Sequence, residues 1–173
     1  MALELLAAII TAVAFGGIAH LVRRFSGWRL PRWLVPAAAG LGMIGYTAWS
    51  EYSWFGRVSA ELPPEVPVVW TQTGASALRP WTFLAPMTTR FVALDRREIA
   101  QHPANAALRL ARIYSFARWK PTEDAMMVFD CAAGQQILLT DQITIDDQGM
   151  LVGADWVAAG PEDGFQKAAC QED

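Results

Sequence analysis

The chain has 173 residues, of which 53% are hydrophobic and 18% are charged, and its formal net charge is −3. This mild acidity argues against nucleic-acid binding, because nucleic-acid-binding domains present a basic face to phosphate. The length suits one ordinary domain, or a small domain together with membrane segments.

Two uncharged apolar runs lie near the N-terminus. The first, LLAAIITAVAFGGIAHLV, covers residues 5–22, and the second, WLVPAAAGLGMIGYTAW, covers residues 33–49. Each is about as long as a helix needs to cross a hydrocarbon core of roughly 30 Å. We therefore predict a transmembrane helical hairpin over residues 1–55, with helices at about 4–22 and 33–54 and a loop at 23–32. Buried helices of a soluble core are the alternative, but such helices seldom lack charge over this length.

The first run is interpreted as a retained anchor and not as a cleaved signal peptide. The only charge before it is Glu4, where a signal peptide carries Lys or Arg. His20 is the one ionisable group within the run. It lies beside the arginines that follow, so headgroups or water can reach it, and neither run contains a second histidine for haem ligation.

The loop between the runs decides the predicted orientation. It contains four arginines, Arg23, Arg24, Arg29 and Arg32. Short loops rich in Lys and Arg stay in the cytoplasm. We therefore expect a bacterial inner-membrane protein whose N-terminus and C-terminal domain are periplasmic, with the lipid bilayer as one partner. Amphipathic rings expected at the two interfaces are Trp28, Trp33, Trp49, Tyr52 and Trp54.

Small residues in both runs favour close packing of helices. They are Gly16 and Gly17 in the first run and Ala38, Gly42 and Gly45 in the second. Such residues let two helix backbones approach each other. We favour packing of the hairpin on itself over a groove for a partner.

The remaining sequence predicts a polar, proline-containing linker at 56–65 and a β-rich domain at 66–173. Residues 66–73, VPVVWTQT, are typical of a strand, and Pro86 makes part of the next segment an edge or irregular stretch. Residues 108–119, LRLARIYSFARW, fit a strand, although a helix starting near Pro103 stays open.

Later segments continue this pattern. DAMMVFDCAAGQQILLT indicates two strands with Gly134 at the turn, and DQITIDDQGMLVGADWVA indicates another pair that reverses around residues 147–149. EDGFQKAAC, after Pro161, indicates a short helix. The predicted fold class is α+β: the helical hairpin, then a small antiparallel sheet with one or two short helices.

Several short motifs in this domain resemble the surface-adhesin E-like family of small bacterial envelope domains. The matching positions are Asp95, Ile99, Phe129, Asp130, Cys131, Trp156 and Cys170. With its two helices and EYSW segment, the whole chain is similar to uncharacterised proteobacterial inner-membrane proteins. The resemblance implies a disulfide and a β-rich fold, and it implies no enzyme. The chain departs from the adhesin type in carrying a membrane hairpin in place of a secretion signal, which leaves adhesion unsupported.

The chain has two cysteines, Cys131 and Cys170. In an oxidising compartment such a pair persists as a disulfide. The alternative is two free thiols, one of them catalytic, but there is no C-x-x-C motif and a catalytic cysteine needs a histidine partner.

Other candidate chemistry is weaker. Glu98 and His102 would share one face of a helix, but two ligands make a poor metal site. Asp141, Asp146 and Asp147 lack the spacing of a calcium loop. A loose basic set is either a docking surface or mixed surface charge: Arg96, Arg97, Arg109, Arg112 and Arg118.

These observations lead to a function without catalysis, cofactor or metal. We expect an interaction protein, such as an accessory subunit or assembly factor of a membrane complex, with a membrane-protein partner or a second copy of itself. The alternative is a periplasmic sensor that binds a small ligand in a pocket lined by Trp70, Trp81 or Trp119 with a convergent arginine.

Overall fold

A computed structural model describes residues 2–75, 79–103, 105–140, 143–145, 151–153, 155–160 and 162–170. The chain divides into two compact units, Met1–Arg57 and Val58–Asp173. The first unit is helical, and the second contains the sheet.

Two helices build the first unit. Helix α1 covers Ala2–Phe25, and helix α2 covers Leu34–Ala60. A Cβ atom added to Gly42 would lie 2.8 Å from Cγ of Phe15, so the absence of a side chain there is what admits the phenylalanine ring. The hairpin therefore packs on itself at Gly42. Helix α2 continues to Ala60, so the first part of the predicted linker is helical.

The two helices differ in their suitability for a bilayer. Within α1, Leu3–Phe25 is long and apolar enough to cross a membrane, with a mean hydropathy of 2.2. No other helix of the described residues meets this criterion. In α2, glycines and hydroxyl side chains dilute the apolar run, and Glu51 follows it closely. The structure thus contains one candidate span, and the second span of the predicted hairpin is not confirmed.

The second unit is built on an antiparallel sheet. In chain order its elements are β1 (Val68–Gly74), a 3-10 turn (Pro80–Phe83), β2 (Met87–His102), β3 (Asn105–Ala117), β4 (Glu123–Asp130), β5 (Gln135–Leu138), β6 (Thr144–Ile145), β7 (Leu151–Val152), β8 (Val157–Ala158) and α3 (Gly164–Cys170). Six strands pair in the order β1-β2-β3-β4-β5-β8, and β6 pairs with β7 in a separate hairpin.

This architecture confirms the α+β class and most predicted elements. The segment from Leu108 is a strand and not a helix. Gly134 has φ +65 in the turn between β4 and β5, a conformation that favours glycine. Residues 147–149, predicted to reverse the later strand pair, lie outside the described residues.

Both faces of the sheet are covered by apolar side chains. On one face Leu94, Ala111 and Phe129 pack with Ala168 and Ala169 of α3. On the other face a cluster joins strands β3 to β5 with the chain around β6 and β7: Leu108, Val128, Ile137, Leu139, Ile143, Leu151 and Trp156. The alternation of Val128 and Phe129 between the two clusters follows from the period of two along a strand.

Candidate functional site

A disulfide joins the end of β4 to the end of α3. Cys131 and Cys170 are bonded, and their Cα atoms lie 5.6 Å apart. Cys131 follows Asp130, whose carboxylate accepts hydrogen bonds from the backbone N–H groups of Ala132 (2.9 Å) and Ala133 (2.9 Å). This turn fixes the cysteine at the rim of the sheet, beside the buried core that includes Phe129.

Helix α3 is held at its beginning as well. The carboxylate of Asp163 accepts from the N–H groups of Phe165 (2.9 Å) and Gln166 (3.2 Å), which are donors that a helix start leaves unpaired. Its other oxygen accepts from the buried side-chain amide of Gln136 at 3.0 Å. Gly164 lies so close to β1 that an added Cβ atom would overlap the carbonyl oxygen of Val69. The helix is thus bound to three elements of the sheet.

Asp95 is the centre of a charged cluster on β2 and β3. Its side chain is 1% exposed and accepts from Nε (2.9 Å) and Nη2 (2.7 Å) of Arg97, and from the Arg97 backbone N–H (3.0 Å). These hydrogen bonds, together with the charges of Arg97 and Arg112, hold the pKa of Asp95 below its ordinary value of 3.8 against the opposing effect of burial. A bulge brings the pair together, because β2 pairs through Asp95 and then not again until Ala100.

The arginines of the predicted basic set make several kinds of contact. Arg112 pairs with Glu98 (3.0 Å) and Asp124 (3.5 Å), whereas Arg109 donates to a backbone carbonyl of α3. Arg118 stacks over the ring of Trp119, 4.3 Å from its centroid. Arg97 and Arg112 thus belong to the charged cluster around Asp95, whereas Arg109 and Arg118 make other contacts.

The Glu98–His102 pair acquires no third ligand. Glu98 is engaged by Arg112. Among the described residues, no group of three or more His, Cys, Asp or Glu side chains is placed to hold a metal ion. The calcium candidates Asp141, Asp146 and Asp147 lie outside the described residues.

His102 instead borders a cleft of about 190 Å³ at the β2–β3 turn. Apolar side chains form most of its wall, among them Leu108, Leu110, Val128, Leu139 and Leu151. No tryptophan is among the described lining residues. The volume of this cleft is below the roughly 300 Å³ at which ligand pockets usually begin. A larger hollow of about 400 Å³ lies along β5, with Gln136, Ile137 and Asp155 in its wall, and it too has no tryptophan among its described lining residues.

The opposite end of the sheet carries exposed apolar side chains. Trp81 is 43% exposed, Phe83 65%, Leu84 92% and Trp119 45%. We call these four residues the aromatic end. The first three belong to the 3-10 turn and the residue after it, and Trp119 follows β3. Pairing of Gly74 with Met87, and of Arg90 with Ala117, places both turns at the same end of the sheet.

In the first unit, the predicted orientation residues surround the α1–α2 loop. Nε of Arg23 donates to the carbonyl oxygen of Leu30 at 3.0 Å, and its guanidinium lies 4.6 Å from the ring centroid of Trp28. Arg24, Arg29 and Arg32 are exposed. The predicted interface aromatics Trp28, Trp33, Trp49 and Tyr52 are exposed, whereas Trp54 is buried at 4% exposure. Trp54 is thus unlike the other four in offering no ring surface to lipid.

Trp81 and Trp119, which were predicted as candidate pocket residues, lie exposed at the aromatic end. The exposure of Phe83 and Leu84 and the bulge beside Asp95 were not predicted. Pro86 marked part of the segment before β2 as an edge or irregular stretch, and the apolar residues before this proline were the available signal. No protein-family model, curated protein or solved structure matches the chain, so the residues themselves carry the functional argument.

Proposed function

We propose that the chain is an inner-membrane-anchored periplasmic interaction protein without catalytic activity. In this proposal both α1 and α2 enter the bilayer, the arginine loop is cytoplasmic, and the sheet unit is periplasmic. The candidate span in α1 supports the anchor. The disulfide supports the periplasmic location of the sheet unit, since such bonds persist where the environment is oxidising.

The aromatic end is the observation that carries the interaction. Four large apolar side chains exposed on two neighbouring turns cost solvation free energy unless another surface covers them. The sheet, by contrast, buries apolar clusters on both faces. The protein acts by contact: its stapled sheet presents the aromatic end to another component of the membrane, as an accessory subunit or assembly factor would.

Photo-crosslinking in intact cells tests this proposal. A Leu84→p-benzoylphenylalanine variant should form covalent adducts with a membrane component on illumination. Val157 provides a matched control, because it is apolar and 61% exposed but lies on β8, at another edge of the sheet. Adducts at position 84 that are absent at position 157 are expected. Equal yields at the two positions, or none at either, would overturn the proposal.

A further inference from the structure

The 3-10 turn has one buried residue between exposed apolar side chains. Thr82 is fully buried, and its hydroxyl donates to the carbonyl oxygen of Arg79 at 2.7 Å. Trp81 and Phe83, on either side of it, are exposed, and Leu84 is almost entirely so. Thr82 is therefore the buried residue of the turn, and its neighbours Trp81 and Phe83 face outward.

Trp119 provides a second observation at this end of the sheet. Its φ is +70, in the left-handed region that bulky residues rarely occupy. A glycine would adopt this conformation without strain. The indole is 45% exposed and lies under the guanidinium of Arg118. The turn thus carries a tryptophan where the backbone alone would favour glycine.

Basic groups accompany these rings. Arg79 precedes the 3-10 turn, and Arg118 and Lys120 flank Trp119. Two acidic residues follow, Glu123, which is exposed, and Asp124, which is engaged by Arg112. Positive charge beside exposed Trp, Phe and Leu is complementary to an anionic phospholipid surface, where the rings occupy the headgroup region and the cations reach phosphate.

A lipid surface fits this end better than a protein does. A stable protein interface involves about 20–30 residues a side. The aromatic end consists of two short turns with cations among the rings. A fluid headgroup layer needs no matching shape. A membrane span on the same chain would also keep the local lipid concentration high.

We infer that the aromatic end binds the anionic surface of the phospholipid bilayer, with Phe83, Leu84 and Trp119 entering the headgroup region and Arg118 and Lys120 contacting phosphate. This inference rests on the proposed function and names the membrane component that the aromatic end contacts.

The test uses the purified full-length chain in nanodiscs. A Phe83→p-benzoylphenylalanine variant is illuminated in bilayers containing phosphatidylglycerol or only phosphatidylcholine, and lipid adducts are quantified by mass spectrometry. Val157→p-benzoylphenylalanine measures the background that anchoring alone produces. We expect a lipid adduct at position 83 well above that background, and a lower yield in the neutral bilayer.

Two further variants distinguish a loss of lipid contact from a loss of folding. Arg118→Glu with Lys120→Glu should reduce the lipid adduct at least about fivefold, the effect expected from even one basic residue at an anionic surface. Trp119→Gly relieves the left-handed strain, so the midpoint of thermal unfolding should not fall while the lipid adduct decreases. If either variant leaves the yield of lipid adduct unchanged, the inference is overturned.

The Phe83→p-benzoylphenylalanine variant, illuminated in native membranes, distinguishes the lipid inference from the proposed function. A protein adduct at position 83, without a lipid adduct, would overturn the lipid inference and leave the proposed function standing. Yields at position 83 no higher than at position 157, for lipid and protein alike, would overturn both.

Discussion

The guanidinium of Arg109 on β3 donates from Nη1 to the carbonyl oxygen of Ala169, 3.0 Å away in the last turn of α3. The last carbonyl groups of a helix have no partner within the helix, so a cation from the sheet satisfies one of them. This contact ties the C-terminal end of α3 to the strand beside Phe129.

Replacing this cation should loosen α3. We expect Arg109→Met to keep the aliphatic packing but to lower the free energy of unfolding by about 1.5–3 kcal/mol, the range for hydrogen bonds to charged groups. Urea unfolding of the full chain in detergent measures the loss. Lys120→Met, in the exposed β3–β4 turn, is the control and should change the stability little. Equal stability of the two variants would contradict the role of Arg109.

Gly164 provides a steric test of the same docking. Gly164→Ala should destabilise the sheet unit by about 1–3 kcal/mol, because the new Cβ would overlap the carbonyl oxygen of Val69 and α3 would have to move. Gly160→Ala is matched in chemistry, and nothing lies within 4 Å of its added Cβ. Thermal unfolding followed by circular dichroism should separate the two variants. Identical midpoints would show that α3 does not approach β1 this closely.

Asp95 should make the stability depend on pH in the acidic range. Its folded-state pKa lies below the ordinary value of 3.8, because Arg97 donates hydrogen bonds to the ionised carboxylate. The unfolded chain therefore binds the proton first as pH falls. The stabilisation is complete above pH 3.8 and is lost as pH falls through the folded-state pKa.

Asp95→Asn removes this dependence. We expect the variant to be less stable than the parent chain at neutral pH, by about 1–3 kcal/mol, and the difference to shrink as pH falls below 3.8. Unfolding free energies of both chains between pH 7 and pH 3 provide the comparison. A difference that stays constant, or that grows toward acid, would contradict the ion pair.

The disulfide should contribute strongly to the stability of the sheet unit. It closes a loop with a sequence separation of 39, for which chain entropy predicts roughly 3–4 kcal/mol. The double variant Cys131→Ser, Cys170→Ser should lose about that much in urea unfolding. The parent chain, isolated without reductant, should resist alkylation until it is unfolded and reduced. Full alkylation of the folded, unreduced chain would argue against the bond.

Local signals predicted the strands and turns well. Gly134 marked the β4–β5 turn, and the β-branched run after Pro67 marked β1. The segment from Leu108 was ambiguous because arginines interrupt its apolar alternation. In the structure this segment pairs with a strand on each side, and it is therefore a strand. Pairing with distant parts of the chain cannot be inferred from the segment alone.

The candidate site was harder to predict, because exposure depends on tertiary packing. Phe83 and Leu84 have the composition of core residues, and their position after a 3-10 turn leaves them uncovered. The residues next to Trp119 in the sequence likewise do not indicate its left-handed backbone conformation. In α2 the sequence suggested a second span, but Glu51 and the interspersed glycines make that helix less apolar than α1.

Topology tests the central claim, a membrane anchor with the sheet unit in the periplasm. Alkaline phosphatase, which needs periplasmic oxidation to become active, is fused after residue 173 of the full chain and assayed in intact cells. The account predicts high phosphatase activity, and a matched fusion within the loop at 26–33 should be inactive. An inactive fusion after residue 173, expressed at the same level, would contradict the account.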